Sequence, residues 1–316
     1  MIEIAISECD HVAMDEEKKV FSDNNITMKL YHCKTEDDLA ESLQKYEFIG
    51  VQYAPLTDRV FSNLRNLRAV VRYGVGVDNI DLESATRHGI KVSNVPNYCT
   101  EEVANHALTL MMALARKLIP IDNSVRSGNW NYEVSAPVYR FSEMTVGIVG
   151  LGRIGKCFAK QVRGLGVKII ATDPLYPNGI DEEYAFVEMV EFDELLTRSD
   201  FISIHCPFET TNTLFGEKEL KRMKDTAYLI NVSRGGIVGE AALIKALENK
   251  WIAGAASDVL AKEPPDGYCP LLACDNYIGT PHMAWYSVQA SSELKRKLAE
   301  EIVRYVNEIP PLYQLN

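Results

Sequence analysis

Four separated features of the sequence carry groups that can do chemistry together. A glycine-rich stretch, Gly-Leu-Gly-Arg-Ile-Gly, occupies residues 150–155, and Arg234, Glu263 and His282 follow it in that order. The glycine pattern is typical of a loop that binds a dinucleotide. An arginine can hold a substrate carboxylate, and a histidine backed by a carboxylate can transfer a proton near neutral pH. Together these groups suit the oxidation of an alcohol that lies beside a carboxylate.

The glycine stretch lies in the context that a dinucleotide site requires. It directly follows an apolar run, 145–150, that predicts a strand, and it precedes residues 156–165, which predict a helix. Gly150 permits a tight turn, Gly152 lets the backbone approach a pyrophosphate, and Gly155 allows close packing of the helix on the sheet. The helix N-terminus adds N–H groups for the anion. The predicted cofactor contacts in the loop are Gly150, Gly152, Arg153, Ile154 and Gly155.

Asp173 indicates which form of the cofactor is bound. It follows a strand-like run, 168–172, at the usual distance from the glycine loop, where its carboxylate can accept hydrogen bonds from the adenosine ribose. Its negative charge would repel a 2′-phosphate, and the residues directly after it, Pro-Leu-Tyr, include no arginine or lysine. The sequence therefore favours NAD (NADH) over NADP. A glycine turn that only closes a strand–helix junction is the alternative.

His282 and Glu263 form a candidate proton-transfer pair. His282, one of six histidines, comes after a proline at the end of a strand-like run, a position typical of catalytic loops on open α/β sheets. Taken alone, it is better interpreted as a structural histidine. Glu263 changes that balance, because it follows the strand that carries Asp258 and its carboxylate can hold one imidazole nitrogen. Such a carboxylate fixes the tautomer and favours a proton shuttle near neutral pH.

Two further features can bind a substrate carboxylate. Arg234 precedes two glycines in a turn that can hold its planar guanidinium in a cleft, although a surface arginine in a flexible turn is the alternative. Residues 72–78, Arg-Tyr-Gly-Val-Gly-Val-Asp, end a strand with closely spaced glycines whose backbone N–H groups can face an anion. No long helix directly follows this second pattern. We therefore assign it to the substrate and not to NAD.

The elements that position these residues alternate along the chain. Apolar runs predict strands, amphipathic runs predict helices between them, and Thr35 is a candidate helix cap. This alternation implies parallel sheets that are covered by helices, an α/β fold. The predicted strands are 2–7, 26–31, 48–53, 69–73, 91–93, 145–150, 168–172, 201–205, 227–232, 252–258 and 277–279. The predicted helices are 35–46, 58–64, 82–88, 100–118, 156–165, 192–198, 240–248 and 287–308.

Length and element order predict two domains. A chain of 316 residues exceeds what one hydrophobic core usually serves. The long helix that begins at Thr100 links two α/β bodies. The last helix has no strand after it, so it can pack back on the first body. We therefore predict a discontinuous first domain, 1–98 plus 287–316, and a second domain, 99–286.

Composition excludes several classes of protein. The net charge of −11 disfavours nucleic acid as a partner. The N-terminus has acidic residues within a short apolar stretch, which is unlike a signal peptide, and no apolar run reaches the roughly 20 residues that span a bilayer. Seven cysteines, with no Cys-x-x-Cys pair, argue against a disulfide framework or a metal site. We expect a cytoplasmic protein with reduced thiols, no bound metal and no membrane partner.

The ordered motifs resemble those of the D-isomer-specific 2-hydroxyacid dehydrogenases over nearly the whole chain. They are Gly-Leu-Gly-Arg-Ile-Gly at 150–155, His-Cys-Pro at 205–207, Asn-Val-Ser-Arg-Gly-Gly at 231–236, Asp-Val at 258–259, Lys-Glu-Pro at 262–264 and Pro-His at 281–282. Within that family, residues 71–81 and 282–287 resemble the branch that contains bacterial dehydrogenases and the C-terminal-binding-protein corepressors.

The resemblance implies a fold, an assembly and residue roles. The fold is two Rossmann-like domains, a flavodoxin-like substrate domain and a doubly wound NAD-binding domain, with the active site in a cleft between them. The assembly is a homodimer formed mainly through the NAD-binding domain. The implied catalytic trio is Arg234, Glu263 and His282. The implied cofactor contacts are Cys206, Val232, Ser233 and Asp258, of which Asp258 holds the nicotinamide carboxamide.

The same resemblance implies a set of substrate contacts. The backbone of Val75 and Gly76 receives the substrate carboxylate, and Arg72 and Trp285 match substrate-contacting positions in the corepressor branch. Tyr53, Tyr73 and Trp285 can make one end of the pocket apolar, and packing in a core is the alternative for each tyrosine.

These observations lead to one hypothesis and its alternatives. The chain is predicted to be an NAD-dependent D-2-hydroxyacid dehydrogenase, working as a 2-keto acid reductase by hydride transfer between nicotinamide and C2. His282, backed by Glu263, gives a proton to the C2 oxygen, while Arg234 binds the carboxylate and polarises that oxygen. An NAD(H)-sensing, corepressor-like interaction protein is the alternative. Narrower alternatives are a hydroxypyruvate or glyoxylate reductase and a phosphoglycerate dehydrogenase, which often carries an extra regulatory domain.

Overall fold

The structure, a computed structural model, describes residues 2–9, 13–176, 179–208 and 213–316. Contacts within the chain divide it into two compact units, Met1–Tyr98 with Ser287–Asn316, and Cys99–Tyr286. Each unit contains a parallel sheet with helices between its strands, which confirms the predicted α/β class. In the described residues no helix is both long and apolar enough to cross a bilayer.

The strands and helices of the described residues are as follows. The strands are β1 Ile2–Ile6, β2 Ile26–Leu30, β3 Phe48–Val51, β4 Ala69–Arg72, β5 Lys91–Ser93, β6 Thr145–Val149, β7 Lys168–Thr172, β8 Glu188–Met189, β9 Phe201–Ile204, β10 Tyr228–Asn231, β11 Gly254–Ser257 and β12 Tyr277–Gly279. The helices are α1 Asp15–Asp23, α2 Glu36–Ser42, α3 Asp58–Asn63, α4 Leu82–Arg87, α5 Thr100–Ala115, α6 Leu118–Arg126, α7 Arg153–Arg163, α8 Phe192–Arg198, α9 Glu217–Leu220, α10 Glu240–Glu248 and α11 Val288–Val306.

The first unit is built on a parallel sheet in the order β2-β1-β3-β4-β5. All four residues of β3 are buried, as expected for a parallel strand covered by helices on both faces. Helix α11 packs on α1, β3 and β4. Thr35 caps α2, since its hydroxyl accepts the N–H of Asp38 at 3.2 Å, which confirms the predicted cap.

The second unit is built on a parallel sheet in the order β12-β11-β10-β9-β6-β7-β8. Its first strand, β6, lies inside the sheet, and the chain runs outward from it in one direction through β7 and then in the other through β9. Ligands of open α/β sheets bind outside the carboxyl ends of the strands at such a reversal point. The glycine loop follows β6, and residues 205–208 follow β9, so both lie at that point.

Several predicted boundaries differ from the observed ones. Helix α7 begins at Arg153 and not at Lys156, because Gly152 is its N-cap and the end of the glycine motif already forms the first turn. The helix predicted over 100–118 ends earlier, at Ala115, since Lys117 adopts a left-handed φ of 49° before a separate helix, α6, begins at Leu118. The sequence patterns do not predict helices α1, α6 and α9 or strand β8.

Candidate active site

His282 and Glu263 are in direct contact. Nδ1 of His282 lies 2.5 Å from Oε2 of Glu263. The other carboxylate oxygen, Oε1, accepts the N–H of Leu260 at 2.7 Å. The two side chains are 42% and 33% exposed, so solvent or a ligand can reach them. Because Nδ1 is held by the carboxylate, Nε2 is the nitrogen available to exchange a proton with a substrate.

Glu263 is held in its charged form. Burial by itself raises the pKa of Glu263, but the hydrogen bond and charge of His282, the N–H of Leu260 and the charge of Arg234 together lower that pKa below the ordinary value of 4.5. Glu263 is therefore a carboxylate at neutral pH. The effect of Arg234 on this pKa also means that the guanidinium lies within electrostatic range of Glu263.

The turn that carries Arg234 is fixed by its neighbours. The buried side chain of Asn231 donates to the carbonyl of Arg234 at 2.9 Å and accepts the N–H of Ser233 at 3.1 Å. A Cβ atom on Gly235 would lie 2.0 Å from the carbonyl carbon of Leu260. Only glycine at position 235 therefore lets this turn approach residues 260–263. The N–H of Leu260, the first of these residues, donates to the carboxylate of Glu263. The sequence Arg-Gly thus brings Arg234 towards the His282–Glu263 pair.

Asp258 fixes the loop that carries His282. Its side chain is almost fully buried, and its carboxylate accepts the N–H groups of Met283 at 3.0 Å and Ala284 at 2.8 Å and the hydroxyl of Thr280 at 2.5 Å. Its backbone carbonyl accepts the N–H of His282 at 2.8 Å. These bonds hold His282 at a left-handed φ of 53°, which is uncommon for a residue with a side chain. The nicotinamide contact expected of Asp258 stays a prediction.

The glycine loop has the geometry of a pyrophosphate cradle. Gly150 has a φ of 90°, and a Cβ there would lie 2.6 Å from the backbone nitrogen of Cys206. A Cβ on Gly155 would lie 2.1 Å from the carbonyl oxygen of Gly150, so the helix packs directly on the loop. A Cβ on Gly152 would meet nothing within 4 Å. Gly152 therefore leaves an open side at the N-terminus of α7, where the first N–H groups can receive a phosphate, and the loop fits a dinucleotide.

Asp173 lies directly after β7, beside the glycine loop. Its Oδ2 accepts the N–H of Leu151 at 2.6 Å, and its Oδ1 accepts the N–H of Leu175 at 2.9 Å. The carboxylate is thus tied to the loop on one side and half-buried. The predicted hydrogen bonds to a ribose are not tested by these contacts and stay a prediction.

The remaining predicted cofactor residues lie around the same strand ends. Cys206 and Val232 are buried after β9 and β10, and the hydroxyl of Ser233 donates to the carbonyl of Cys206. Within the loop, Arg153 is exposed and Ile154 is half-buried. The loop and the ends of β9 and β10 therefore form one edge of the second unit.

The predicted substrate residues of the first unit follow β3 and β4. Tyr53 is 55% exposed, whereas Tyr73 is 2% exposed and its hydroxyl donates to the buried Glu17 at 2.9 Å. Tyr73 therefore packs in the core of its unit, which matches the alternative to a substrate contact. Burial raises the pKa of Glu17, so this carboxyl holds its proton more tightly than usual.

The other three predicted substrate positions of this unit lie beside them. Nε of Arg72 donates to the carbonyl of Gln52 at 3.1 Å. Val75 is 37% exposed and Gly76 is half-buried. Trp285, in the second unit, is half-buried with its ring edge-to-face against Tyr286. The roles predicted for these residues stay predictions.

Two histidines of the second unit were not among the predicted site residues. His205 follows β9, and its Nε2 lies 2.9 Å from the hydroxyl of Ser203. Burial lowers the pKa of His205 to about 3, so it is neutral. His106 lies on α5, and its Nε2 is 2.9 Å from the hydroxyl of Thr280. The pattern of apolar and polar residues in the sequence does not indicate that His205 contacts Ser203 or that His106 contacts Thr280.

A doubly wound sheet with this loop and a histidine–glutamate pair at its edge is typical of one class, the NAD-dependent oxidoreductases. The family is narrower. The sequence model of the family "D-isomer specific 2-hydroxyacid dehydrogenase, NAD binding domain" matches residues 108–284. The chain belongs to this family and is an NAD-dependent oxidoreductase that acts on the CH–OH group of 2-hydroxy acids.

Individual relatives agree with the family assignment. A glyoxylate reductase of Korarchaeum cryptofilum is 40% identical over 262 residues, which cover 81% of this chain and 79% of that protein. A D-3-phosphoglycerate dehydrogenase of Archaeoglobus fulgidus is 37% identical over 91% of this chain and 54% of its own length. The solved D-lactate dehydrogenase of Aquifex aeolicus, in complex with NAD and lactic acid, superposes with a TM-score of 0.88 at 26% identity over 96% of each chain.

These comparisons confirm the family, the fold and the cofactor class predicted from the motifs. They favour an enzyme over the corepressor-like alternative. The narrower resemblance to the corepressor branch has no specific support in them.

Proposed function

We propose that this protein is a cytoplasmic, NADH-dependent reductase of small 2-keto acids, with glyoxylate and hydroxypyruvate as the preferred substrates. The observation that carries the proposal is the contact of His282 with Glu263, within electrostatic range of Arg234, in an NAD-binding domain. The activity of the Korarchaeum cryptofilum relative, a glyoxylate reductase, supports the choice of a small acid.

Each member of the trio has a separate task in this reaction. Bound NADH supplies the hydride that C2 of the keto acid receives. His282 donates its Nε2 proton to the C2 oxygen, because its Nδ1 is held by Glu263. Glu263 stabilises the protonated imidazole before the transfer. Arg234 pairs with the substrate carboxylate and places positive charge beside the oxygen on which negative charge develops.

The test is NADH consumption with a panel of keto acids. The panel is glyoxylate, hydroxypyruvate, phosphohydroxypyruvate, pyruvate, 2-ketoisocaproate and 4-methylthio-2-oxobutyrate. We expect the highest kcat/KM with glyoxylate or hydroxypyruvate. A higher value with phosphohydroxypyruvate would instead indicate the phosphoglycerate dehydrogenase alternative. NADH binding without turnover of any acid would favour the sensor alternative.

Asp173 is proposed to select NADH, and removal of its charge tests this. The variant Asp173→Asn keeps an oxygen that can accept the N–H of Leu151 but removes the charge that repels a 2′-phosphate. We expect the ratio of kcat/KM with NADPH to kcat/KM with NADH to rise about tenfold, equivalent to about 1.4 kcal/mol. The matched control is Asp181→Asn, which removes the charge of another aspartate of the same unit, one that pairs with Lys156. An unchanged ratio in Asp173→Asn would contradict the ribose assignment.

The proposed assembly is a homodimer formed through the NAD-binding domain. Residues 118–139 of that domain expose an unusual number of large apolar side chains, which we call the apolar segment. Its exposed members are Leu118, Ile119, Val125, Trp130, Tyr132, Val134, Val138 and Tyr139. Trp130 and Tyr132 are 89% and 81% exposed. Aromatic residues in such a patch are typical of protein interfaces, so a second copy of the chain is the proposed partner.

Light scattering after gel filtration tests the dimer. We expect a mass of two chains for the wild type and of one chain for Trp130→Asp, because a charge in the centre of an apolar interface is costly to bury. The matched control is Leu175→Asp, at a position of the same unit that is 80% exposed but outside the apolar segment. A wild-type mass of one chain would exclude the homodimer, and a dimeric Trp130→Asp variant would exclude this surface.

A further inference from the structure

His106 joins helix α5 to the strand end that carries the catalytic loop. Its side chain is 16% exposed, and its Nε2 lies 2.9 Å from Oγ1 of Thr280 and 3.6 Å from Oδ1 of Asp258. The hydroxyl of Thr280 is itself 2.5 Å from the same Oδ1. The three side chains therefore form a compact cluster in which two groups face one buried carboxylate oxygen.

The direction of the hydrogen bonds in this cluster follows from the number of protons. The Thr280 hydroxyl has one proton, and the Asp258 carboxylate oxygen can only accept it. The hydroxyl must then accept the hydrogen bond from His106. Nε2 of His106 consequently carries a proton, and this N–H donates to Thr280 while it lies near Oδ1 of Asp258.

The cluster continues directly into the backbone of the catalytic loop. Oδ1 of Asp258 also accepts the N–H of Met283, and Oδ2 accepts the N–H of Ala284. The carbonyl of Asp258 accepts the N–H of His282. Asp258 thus accepts hydrogen bonds from the N–H groups of three consecutive residues, 282 to 284. The first of them, His282, has the uncommon φ of 53°. Any rotation of the Asp258 carboxylate would release the last two.

We propose that His106 is a positioning residue for His282. Its N–H fixes the Thr280 hydroxyl and, through it, the rotamer of the Asp258 carboxylate. The carboxylate binds the N–H groups of Met283 and Ala284, and this keeps the loop in the conformation in which His282 meets Glu263. His106 has no described contact with His282 and acts through the other two residues. The inference rests on the proposed function, because the proton donor that it positions is the one assigned to keto-acid reduction.

Two substitutions separate the hydrogen bond from packing. His106→Gln places an amide where Nε2 lies and can still donate to Thr280, whereas His106→Leu fills a similar volume without a donor. We expect His106→Leu to lower kcat about tenfold to a hundredfold. His106→Gln is expected to restore kcat to within about threefold of the wild type. Equal losses in both variants, or none in His106→Leu, would overturn the proposal.

Thr280 provides a second route to the same test if His106→Leu does not fold. Thr280→Val removes the relay hydroxyl at nearly constant volume, and we expect a similar loss of kcat. In the double variant, His106→Leu with Thr280→Val, the two losses of kcat should not add, because each substitution breaks the same series of hydrogen bonds from His106 through Thr280 to Asp258. Additive losses would contradict the relay. The matched control is Thr109→Ala, an exposed position about one turn further along α5, which should keep wild-type kcat.

A measurement on the resting protein makes the inference independent of turnover. In protein with ¹⁵N-labelled histidine, the proton on Nδ1 of His282 should give a downfield NMR resonance, which His282→Gln identifies by its loss. We expect His106→Leu to shift or broaden this resonance and His106→Gln to preserve it. If the wild type binds NADH and reduces no keto acid, the proposed function fails, while this resonance still decides the inference. An unchanged resonance in His106→Leu would overturn the inference even if the enzyme is active.

Discussion

Replacement of His282 by alanine is expected to lower kcat for keto-acid reduction by about 10² to 10⁴, the usual contribution of a general acid. The affinity for NADH, measured by fluorescence titration, should stay within about threefold, since the imidazole is assigned to the substrate and not to the dinucleotide. The structural basis is the orientation of the ring. Glu263 holds Nδ1 at 2.5 Å, so the ring presents Nε2 as its proton donor.

The variant Glu263→Gln is the matched comparison for His282→Ala. An amide keeps a hydrogen-bonding group beside Nδ1 but removes the negative charge, so the imidazolium loses its stabilisation while the ring is retained. We expect a smaller loss of kcat than in His282→Ala. Since the pKa of Glu263 is below 4.5, the carboxylate stays charged above that pH, and its own protonation should not limit the rate near neutral pH. Substantial turnover by His282→Ala would refute its role as the proton donor.

The approach of the proposed catalytic trio to one edge of the sheet could be predicted because it follows from sheet geometry. Arg234, Glu263 and His282 each come a few residues after a strand, and the three strands β10, β11 and β12 are adjacent and parallel. Their register pairs Asn231 with Ser257 and Ser257 with Gly279. The carboxyl ends of parallel neighbours lie at one edge of a sheet. Residues far apart in sequence therefore lie at the same edge of the sheet. This can be deduced once the three strands are recognised as neighbours in one parallel sheet.

The glycine loop could be predicted for a different, local reason. Its requirements are set by backbone geometry within six residues. Gly150 has a φ of 90°, and a Cβ atom added to Gly155 would lie 2.1 Å from the carbonyl oxygen of Gly150. Such constraints leave a direct mark on the sequence. The sequence nevertheless predicts the start of α7 three residues too late, because the helix begins within the glycine motif with Gly152 as its N-cap.

The contacts of individual side chains could not be predicted, because they depend on how elements pack. Helix α5 has an amphipathic pattern in which His106 is simply another polar residue, and nothing local indicates that it faces Thr280 and Asp258. Similarly, Tyr73 directly follows β4 and precedes a glycine, which makes it a candidate for the pocket, but its side chain is buried in the core. Its partner Glu17 lies on α1, a helix too polar to be recognised from apolar periodicity.

Arg234→Lys is expected to lower kcat/KM for the keto acid by about 10² to 10³, comparable to the loss of one preorganised donor to a developing charge. Lysine keeps the positive charge but lacks the planar pair of N–H donors that match a carboxylate. The affinity for NADH should change little. The control is Arg222→Lys, at a surface arginine of the same unit that pairs with Asp193, and its kcat/KM should equal that of the wild type.

A second variant, Arg234→Gln, separates the charge of this side chain from its shape. Arg234 contributes to the lowered pKa of Glu263, and lysine retains that contribution whereas glutamine removes it. Arg234→Gln should therefore weaken the binding of the substrate carboxylate and also the stabilisation of the Glu263 carboxylate, the partner of His282. We expect its kcat/KM to fall further than that of Arg234→Lys. Added guanidinium should restore part of the activity of Arg234→Gln and none of that of His282→Ala. If Arg234→Lys has wild-type kcat/KM, bidentate binding of the substrate carboxylate is excluded, since a point charge would then be sufficient.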